Sequence, residues 1–405
     1  MTKVSERLNR LSESATLAMA RMSRELKSQG KDVIALSLGE PDFDTPNFVK
    51  ESAKKAIDDN YSHYTPVSGL LDLRQAIVNK FKRDNGLNFT AEQIIVSTGA
   101  KQSIANACLS LLNPGDEVLL PAPYWVSYAD IVRLSEGITV EILSSVENDF
   151  KVTPSEIENK ITDKTKLLMF SSPCNPSGSV YTKLELLAIG KMLEKYPNIY
   201  IISDEIYEHI NFTNEHFSIG AIPKLKDRVI TVNGVSKGFA MTGWRIGFLG
   251  APLWITKACS KIQGQITSAT CSISQKAAEA AMNANPLVMS SPFNNEVSYM
   301  KDVFLKRRNL VLEKLNAIDG IKCNIPQGAF YLFPDISYYL GKTDGETIIE
   351  SSDDLCMYLL NSCYVALVAG TPFGNPECIR ISYAASEKNL LEAISRIKNQ
   401  LSKLK

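Results

Sequence analysis

The stretch 231-TVNGVSKGFAMTGWRIGFLG-250 is small and apolar except for two charged residues, Lys237 and Arg245. A lysine between Ser236 and Gly238, in a segment that otherwise reads as buried, is either a loop residue facing solvent or an amine with a chemical task. The run it follows, 229-VITV-232, is one of five short aliphatic and β-branched runs that each end abruptly in polar or Gly/Pro residues. The others are 94-IIVS-97, 117-EVLL-120, 166-KLLMF-170 and 199-IYII-202. Helical stretches such as 101-KQSIANACLSLL-112 and 183-KLELLAIGKMLEKY-196 lie between them. Continuous apolar runs alternating with helices predict an α/β fold, with a mainly parallel sheet covered on both faces.

In such a sheet, ligands bind outside the carboxyl ends of the strands. The residues that follow the five runs are therefore the candidates. They deliver a helix start (Gly99, Ala100, Lys101), an aromatic (Trp125), an amide (Asn175), a carboxylate with a phenol (Asp204, Tyr207) and an amine (Lys237). Together these suit an anionic, aromatic, nitrogen-containing ligand. Singly, each has a plain structural reading. Most helix starts bind water or a cap, a lone Trp is more often packing, and Asn between prolines is a turn former. Recurrence at successive strand ends is what favours a site.

The remainder narrows the class. At 405 residues the chain exceeds one ordinary core, so about two or three domains are expected. Lys+Arg and Asp+Glu both total 44, which removes a general electrostatic case for nucleic acid or an anionic membrane as partner. Eight cysteines without a C-x-x-C pair suit free thiols in a reducing compartment, and no signal peptide or membrane-span pattern is present, so a cytoplasmic location is expected. With only His63, His209 and His216, no metal site or histidine-based triad is expected. Gly341-Lys342-Thr343 has the tail of a phosphate loop, but Ile336 stands where its first glycine belongs. Residues 5–29 carry an apolar stripe at helical spacing, which predicts one amphipathic helix. After about residue 275 the pattern changes to helices followed by 329-AFYLFPD-335, 364-YVALVAG-370 and 378-CIRISYA-384. This predicts a smaller α+β unit packed with the N-terminal segment. The expected division is 1–45 as an N-terminal arm belonging to the small domain, 46–290 as the large domain and 291–405 as the small C-terminal domain.

The elements 231-TVNGVSKGFAMTGWRIG-247, 203-SDEIY-207, 171-SSPCNPSG-178, 97-STGAKQ-102, 62-SHYTPVSG-69 and 39-GEPDF-43 resemble the class I/II aminotransferases of fold type I, and within them the bacterial aspartate aminotransferase branch. The resemblance runs through nearly the whole chain in order. It implies pyridoxal 5'-phosphate as cofactor, bonded to Lys237. By position, Arg245, Ser236 and the Gly99–Ala100–Lys101 backbone correspond to the phosphate cradle. Asp204 corresponds to the partner of the pyridine nitrogen, Tyr207 and Asn175 to the partners of the ring hydroxyl, and Trp125 to the stacking aromatic. Arg380 corresponds to the clamp on the substrate α-carboxylate, with Gly39, Trp125 and Asn175 beside it. Tyr64 corresponds to a tyrosine that reaches the neighbouring subunit's phosphate, which implies a homodimer with shared active sites. Gly234 stands where many relatives carry serine, and Ala369 where a proline is frequent.

The activity this implies is ping-pong transamination between an L-amino acid, aspartate by the branch motifs, and a 2-oxo acid, 2-oxoglutarate. Lys237, Asp204 and Tyr207 are the catalytic candidates. Donors of other kinds (aromatic, alanine) remain open, as does C–S β-elimination on the same fold. The third alternative, a ligand-sensing domain fused to a DNA-binding module, is disfavoured because the chain starts almost directly with the arm. The partner of the substrate side chain is open between Lys101 and the polar residues of 263-QGQITSATCS-272.

Overall fold

The computed structural model describes residues 4–213 and 215–405. The strands are β1 (Ile34–Ala35), β2 (Ile94–Thr98), β3 (Glu117–Pro121), β4 (Ile138–Ile142), β5 (Thr165–Ser171), β6 (Tyr200–Asp204), β7 (Val229–Gly234), β8 (Ile246–Gly250), β9 (Tyr331–Leu332), β10 (Val365–Ala366), β11 (Val368–Ala369) and β12 (Ile379–Ser382). The helices are α1 (Glu6–Asn9), α2 (Ala15–Ser28), α3 (Asn47–Asp58), α4 (Leu71–Asn85), α5 (Ala100–Leu111), α6 (Ser127–Leu134), α7 (Pro154–Glu158), α8 (Lys183–Leu193), α9 (Leu253–Ile266), α10 (Ser272–Asn283), α11 (Pro292–Asn316), α12 (Ser352–Cys363) and α13 (Glu387–Leu401). None of these helices is long and apolar enough to cross a membrane.

The central sheet runs β2-β8-β7-β6-β5-β3-β4 and is parallel except at β8, which pairs antiparallel with both β2 and β7. Its apolar runs are continuous because both faces are covered. In β5, Leu167 and Met169 enter one core while Leu168 and Phe170 enter the other, and Ile201 and Ile202 of β6 divide the same way. Helix starts are fixed locally. At α8, Thr182 accepts from Glu185 N at 3.3 Å while the Glu185 carboxylate accepts from Thr182 N at 2.7 Å, a reciprocal cap.

Two strands of this sheet escape the run-based reading. β4 is an edge strand whose sequence, 138-ITVEI-142, mixes exposed and buried residues. β8, 246-IGFLG-250, is fully buried but glycine-rich, and its glycines have a geometric cause. In the ladder Gly247 lies opposite Ser97 on one side and Gly234 on the other. A Cβ on Gly247 would fall into the backbone at Gly99 and Ala100, where α5 begins. A Cβ on Gly234 would lie 2.9 Å from Gly247 Cα and Ile246 O.

A second core joins both ends of the chain. Met19, Val33 and Leu36 pack with Phe330, Leu355, Ile379, Leu390 and Ile397. β1 pairs parallel with β10, and Ser382 N donates to Leu36 O at 2.9 Å. α11 links the two regions: Phe293 and Val297 sit in a core of the large sheet, and Met300, Phe304 and Val311 in the second core. The N-terminal stripe is not one helix. It divides into α1 and α2, because Ser12 N turns to Asp130 Oδ1 (3.4 Å) and Ser14 adopts an extended conformation ahead of α2. That break brings Ser14 and Thr16 to the central cleft.

Gly247→Ala tests this packing. It is expected to lower stability by about 1–3 kcal/mol, the usual range for overpacking, read as a lower urea midpoint. An unchanged midpoint would contradict the close approach of β8 to α5.

Candidate active site

A cleft of about 450 Å³ opens at the carboxyl end of the sheet, between it and the second core. Of the residues singled out by sequence, Lys237, Asp204, Tyr207, Asn175, Trp125, Ser236, Arg245, Ala100, Lys101, Gly39 and Arg380 all line it. Gly99 adjoins it through Arg245, since a Cβ there would strike the guanidinium. Tyr64 does not reach this chain's cleft; it is fully exposed.

The floor is made by adjacent parallel strands. Asp204 ends β6 and is 4% exposed. Tyr128 Oη donates to its Oδ2 at 2.7 Å and Ile206 N to its Oδ1 at 3.2 Å. Burial nevertheless raises its pKa to about 6, against the opposing hydrogen bonds. Three residues beyond β7, Lys237 donates from Nζ to Gly39 O at 2.6 Å. Burial lowers its amine to about 8, with Arg380 and Arg245 adding to the shift and Glu40 and Asp204 opposing it. The Tyr207 hydroxyl shares a 2.8 Å hydrogen bond with the Tyr331 hydroxyl, and burial keeps it protonated well beyond the ordinary phenol range.

At one end of the cleft, Arg245 takes a left-handed conformation (φ 57°) and donates from Nη1 to Thr242 O at 2.9 Å. Its guanidinium lies against Gly99 (φ 83°), the residue before α5. No side chain caps that helix, so its first N–H groups and positive dipole end are open to an anion. Lys101 Nζ sits 4.9 Å from the centre of the Trp125 ring, and burial together with Arg245 lowers its pKa. At the other end, Arg380 is 1% exposed. It donates to Asn175 Oδ1 (3.0 Å) and Ser37 O (2.6 Å), and it stacks 4.6 Å from the Tyr331 ring centre. Among the described residues its Nε has no hydrogen-bond partner, and neither does the hydroxyl of Ser171 in the cleft wall. A buried guanidinium whose neighbours are neutral is set to receive a carboxylate.

Sequence reasoning missed Tyr128, Tyr331, Ser14 and Thr16. Tyr128 follows Trp125 by three residues at the start of α6, a spacing that puts both on one side. Tyr331 lies in an aromatic strand that reads as core, and Ser14 and Thr16 lie in a stripe read as one continuous helix.

A covered parallel sheet with a buried carboxylate, a half-buried low-pKa amine and an arginine-flanked helix start defines a fold type I enzyme dependent on pyridoxal phosphate. Residues 31–397 match the family described as aminotransferase class I and II. The chain belongs to that family. It is 45% identical over 404 residues (99% of this chain, 83% of the relative) to a bifunctional aspartate aminotransferase and glutamate/aspartate-prephenate aminotransferase of Petunia hybrida. It is 44% identical over 404 residues (99% and 100%) to an aspartate/prephenate aminotransferase of Nitrosomonas europaea. Among solved structures, the aspartate aminotransferase from Rhizobium meliloti superimposes with a TM-score of 0.94 at 40% identity, covering 100% of both chains. That of Thermus thermophilus with maleate gives 0.91 at 38% identity, covering 99% of this chain and 100% of the other. The reaction is pyridoxal-phosphate-dependent transamination.

If Lys237 is the amine that bonds the cofactor, its lowered pKa sets the pH at which the cofactor is captured, because the neutral amine is the form that attacks a carbonyl. A folded-state amine lowered to about 8 gains that form as pH rises through 8. The rate at which the cofactor-free protein develops visible absorbance with pyridoxal phosphate should rise through this pH and then level. A rate still climbing toward the ordinary lysine range would contradict the assignment.

Proposed function

We propose that this chain transaminates acidic amino acids, with aspartate as donor and 2-oxoglutarate as acceptor. The observation that carries the reading is a pair of cations on one cleft: Arg380, buried without an anionic partner, and Lys101, held beside Arg245 on the Trp125 face. A dicarboxylate satisfies both. The maleate named with the Thermus thermophilus structure is such a molecule. Prephenate, in the names of several relatives, also carries two carboxylates.

The residues fit the cofactor. Asp204 is a buried carboxylate with only neutral donors beside it, suited to a protonated ring nitrogen. Arg245, Ser236 and the open N–H groups of α5 suit the phosphate, with Gly99 leaving room for the guanidinium. Tyr207 and Asn175 would meet the ring hydroxyl, and Trp125 the ring face. Bound there, pyridoxal phosphate supplies a carbonyl carbon that captures the amino group and a ring that accepts the electron pair left by the α-proton. Lys237 Nζ, neutral for part of the time near pH 8, moves that proton off the substrate and returns it. Arg380 and Asn175 hold the α-carboxylate, Gly39 leaves the close approach open beside Tyr331, and Lys101 holds the second carboxylate. Ser14 and Thr16 border the cleft from the N-terminal segment and help to exclude water.

The working unit is a homodimer in this reading. Tyr64, fully exposed in the single chain, would complete the phosphate site of a second copy. All eight cysteines are unpaired, which suits a reducing, cytoplasmic compartment.

An assay of amino donors with 2-oxoglutarate tests the proposal, with prephenate as an alternative acceptor. Aspartate should be the best donor. Lys101→Ala should raise its KM about 10–100-fold, the scale of one lost charge-assisted hydrogen bond, while alanine turnover stays level. Equal losses for both donors would contradict the role of Lys101. Pyruvate and ammonia released from a sulfur amino acid without an acceptor would favour β-elimination instead.

A further inference from the structure

The turn after β6 faces two ways. Asp204 and Tyr207 point to the cleft, whereas Glu205 and Glu208 point into a buried polar cluster that the transamination chemistry does not use. Glu205 is 1% exposed, and each of its oxygens accepts two hydrogen bonds. Oε1 takes Ser203 Oγ (2.9 Å) and Ser218 Oγ (2.7 Å), and Oε2 takes Asn85 Nδ2 (3.0 Å) and His216 Nε2 (2.9 Å). Glu208 forms an ion pair with Lys80, itself 1% exposed, and accepts from Asn85 Nδ2 at 2.7 Å. Lys80 also donates to Asn85 Oδ1 at 2.6 Å.

Asp84, Glu208 and His209, and likewise Glu205, Glu208 and His216, gather ligand-type atoms within 4.8 Å. The cation among them is already present as Lys80. The charged and titratable groups around His216 are Glu205, Glu208 and His209 from the segment after β6, with Lys80 and Asp84 from α4. Burial would lower His216, but the hydrogen bond and charge of Glu205, with Glu208, outweigh it and raise its pKa. His209, pushed down to about 4 by burial, stays neutral. The two carboxylates therefore favour the charged form of His216, which with Lys80 would balance them.

A buried ionic cluster is a weak source of stability compared with apolar packing, and its better-attested use is to fix one geometry. Its contacts reach the catalytic turn from Asn85 of α4, 120 residues earlier, and from His216 and Ser218, 11 and 13 residues later. Loss of one contact leaves a buried charge unsatisfied directly behind Asp204.

We propose that Glu205 and His216 are positioning residues for transamination: their hydrogen bond, inside the cluster closed by Lys80, Asn85 and Glu208, fixes the turn that presents Asp204 and Tyr207 to the cofactor. The inference rests on the roles given above to Asp204 and Tyr207.

The test uses the holoenzymes of Glu205→Gln, His216→Ala and His216→Gln beside the wild type. Three quantities are read: kcat per bound cofactor, KM for aspartate, and the pH midpoint of the cofactor's visible absorbance. Glu205→Gln and His216→Ala should lower kcat about 10–100-fold, the scale of a small misplacement of catalytic groups. KM should stay within about 2-fold, because the carboxylate clamps are untouched, and the absorbance midpoint should move. His216→Gln, which restores a donor, should recover most of the rate. If Glu205→Gln does not fold, the His216 pair decides. A His216→Ala holoenzyme with a lower melting temperature but the wild-type kcat and absorbance midpoint would overturn the proposal, as would failure of His216→Gln to restore the rate. An error in the roles of Asp204 and Tyr207 would appear separately: Asp204→Ala and Tyr207→Phe would leave the same readouts unchanged.

Discussion

Everything at the centre of this molecule follows from placing a buried carboxylate and a half-buried amine at the ends of two neighbouring parallel strands. Asp204 closes β6 and Lys237 follows β7, and the two strands are in register from Ile201–Val229 to Asp204–Val232. Burial drives both groups toward their neutral forms, Asp204 up to about 6 and Lys237 down to about 8. Arg380 and Arg245 add to the shift at Lys237, while the hydrogen bonds from Tyr128 and Ile206 oppose it at Asp204 only in part. A site that holds ionisable groups so far from their ordinary ranges is poised for a ligand that completes the charge pattern. A ring carrying a protonated nitrogen near one end and a reactive carbonyl near the other is such a ligand.

The rest of the sheet serves that placement. The antiparallel β8 brings Arg245 to the start of α5, and Gly247 lets strand and helix backbone come close enough for a guanidinium and open N–H groups to face the same anion. The second core, which joins both chain ends, carries Arg380 on β12 and Gly39 beyond β1 to the opposite side of the cleft. Substrate would therefore be gripped from both sides, by Arg380 on the second core and by Asn175 and Lys101 on the central sheet that also holds the cofactor, so relative movement of the two would open or close the site.

Much of this was legible in the sequence because strand ends in a parallel sheet carry function in a regular place. The runs at 94–97, 117–120, 166–170, 199–202 and 229–232 each match a strand to within a residue or two. The residues just beyond them line the cleft. What escaped did so for physical reasons. β8 is glycine-rich because the start of α5 presses on Gly247 and the Phe89 ring on Gly250, and glycine weakens the usual strand signal. The serines at 12 and 14 break an apolar stripe whose periodicity alone predicts continuity. Tyr128 and Tyr331 act through hydroxyl groups on side chains that otherwise pack as core, so pattern could not separate the two uses. Tyr64 can be given a role only across a subunit boundary, which no single chain displays.

The central claim is that Lys237 is the amine to which the cofactor bonds. Borohydride reduction of the holoenzyme, followed by peptide mapping by mass spectrometry, tests it most directly. The account predicts one pyridoxyl-phosphate adduct per chain, on the peptide that contains Lys237. An adduct on Lys101 or any other lysine, or none on the Lys237 peptide, would contradict it.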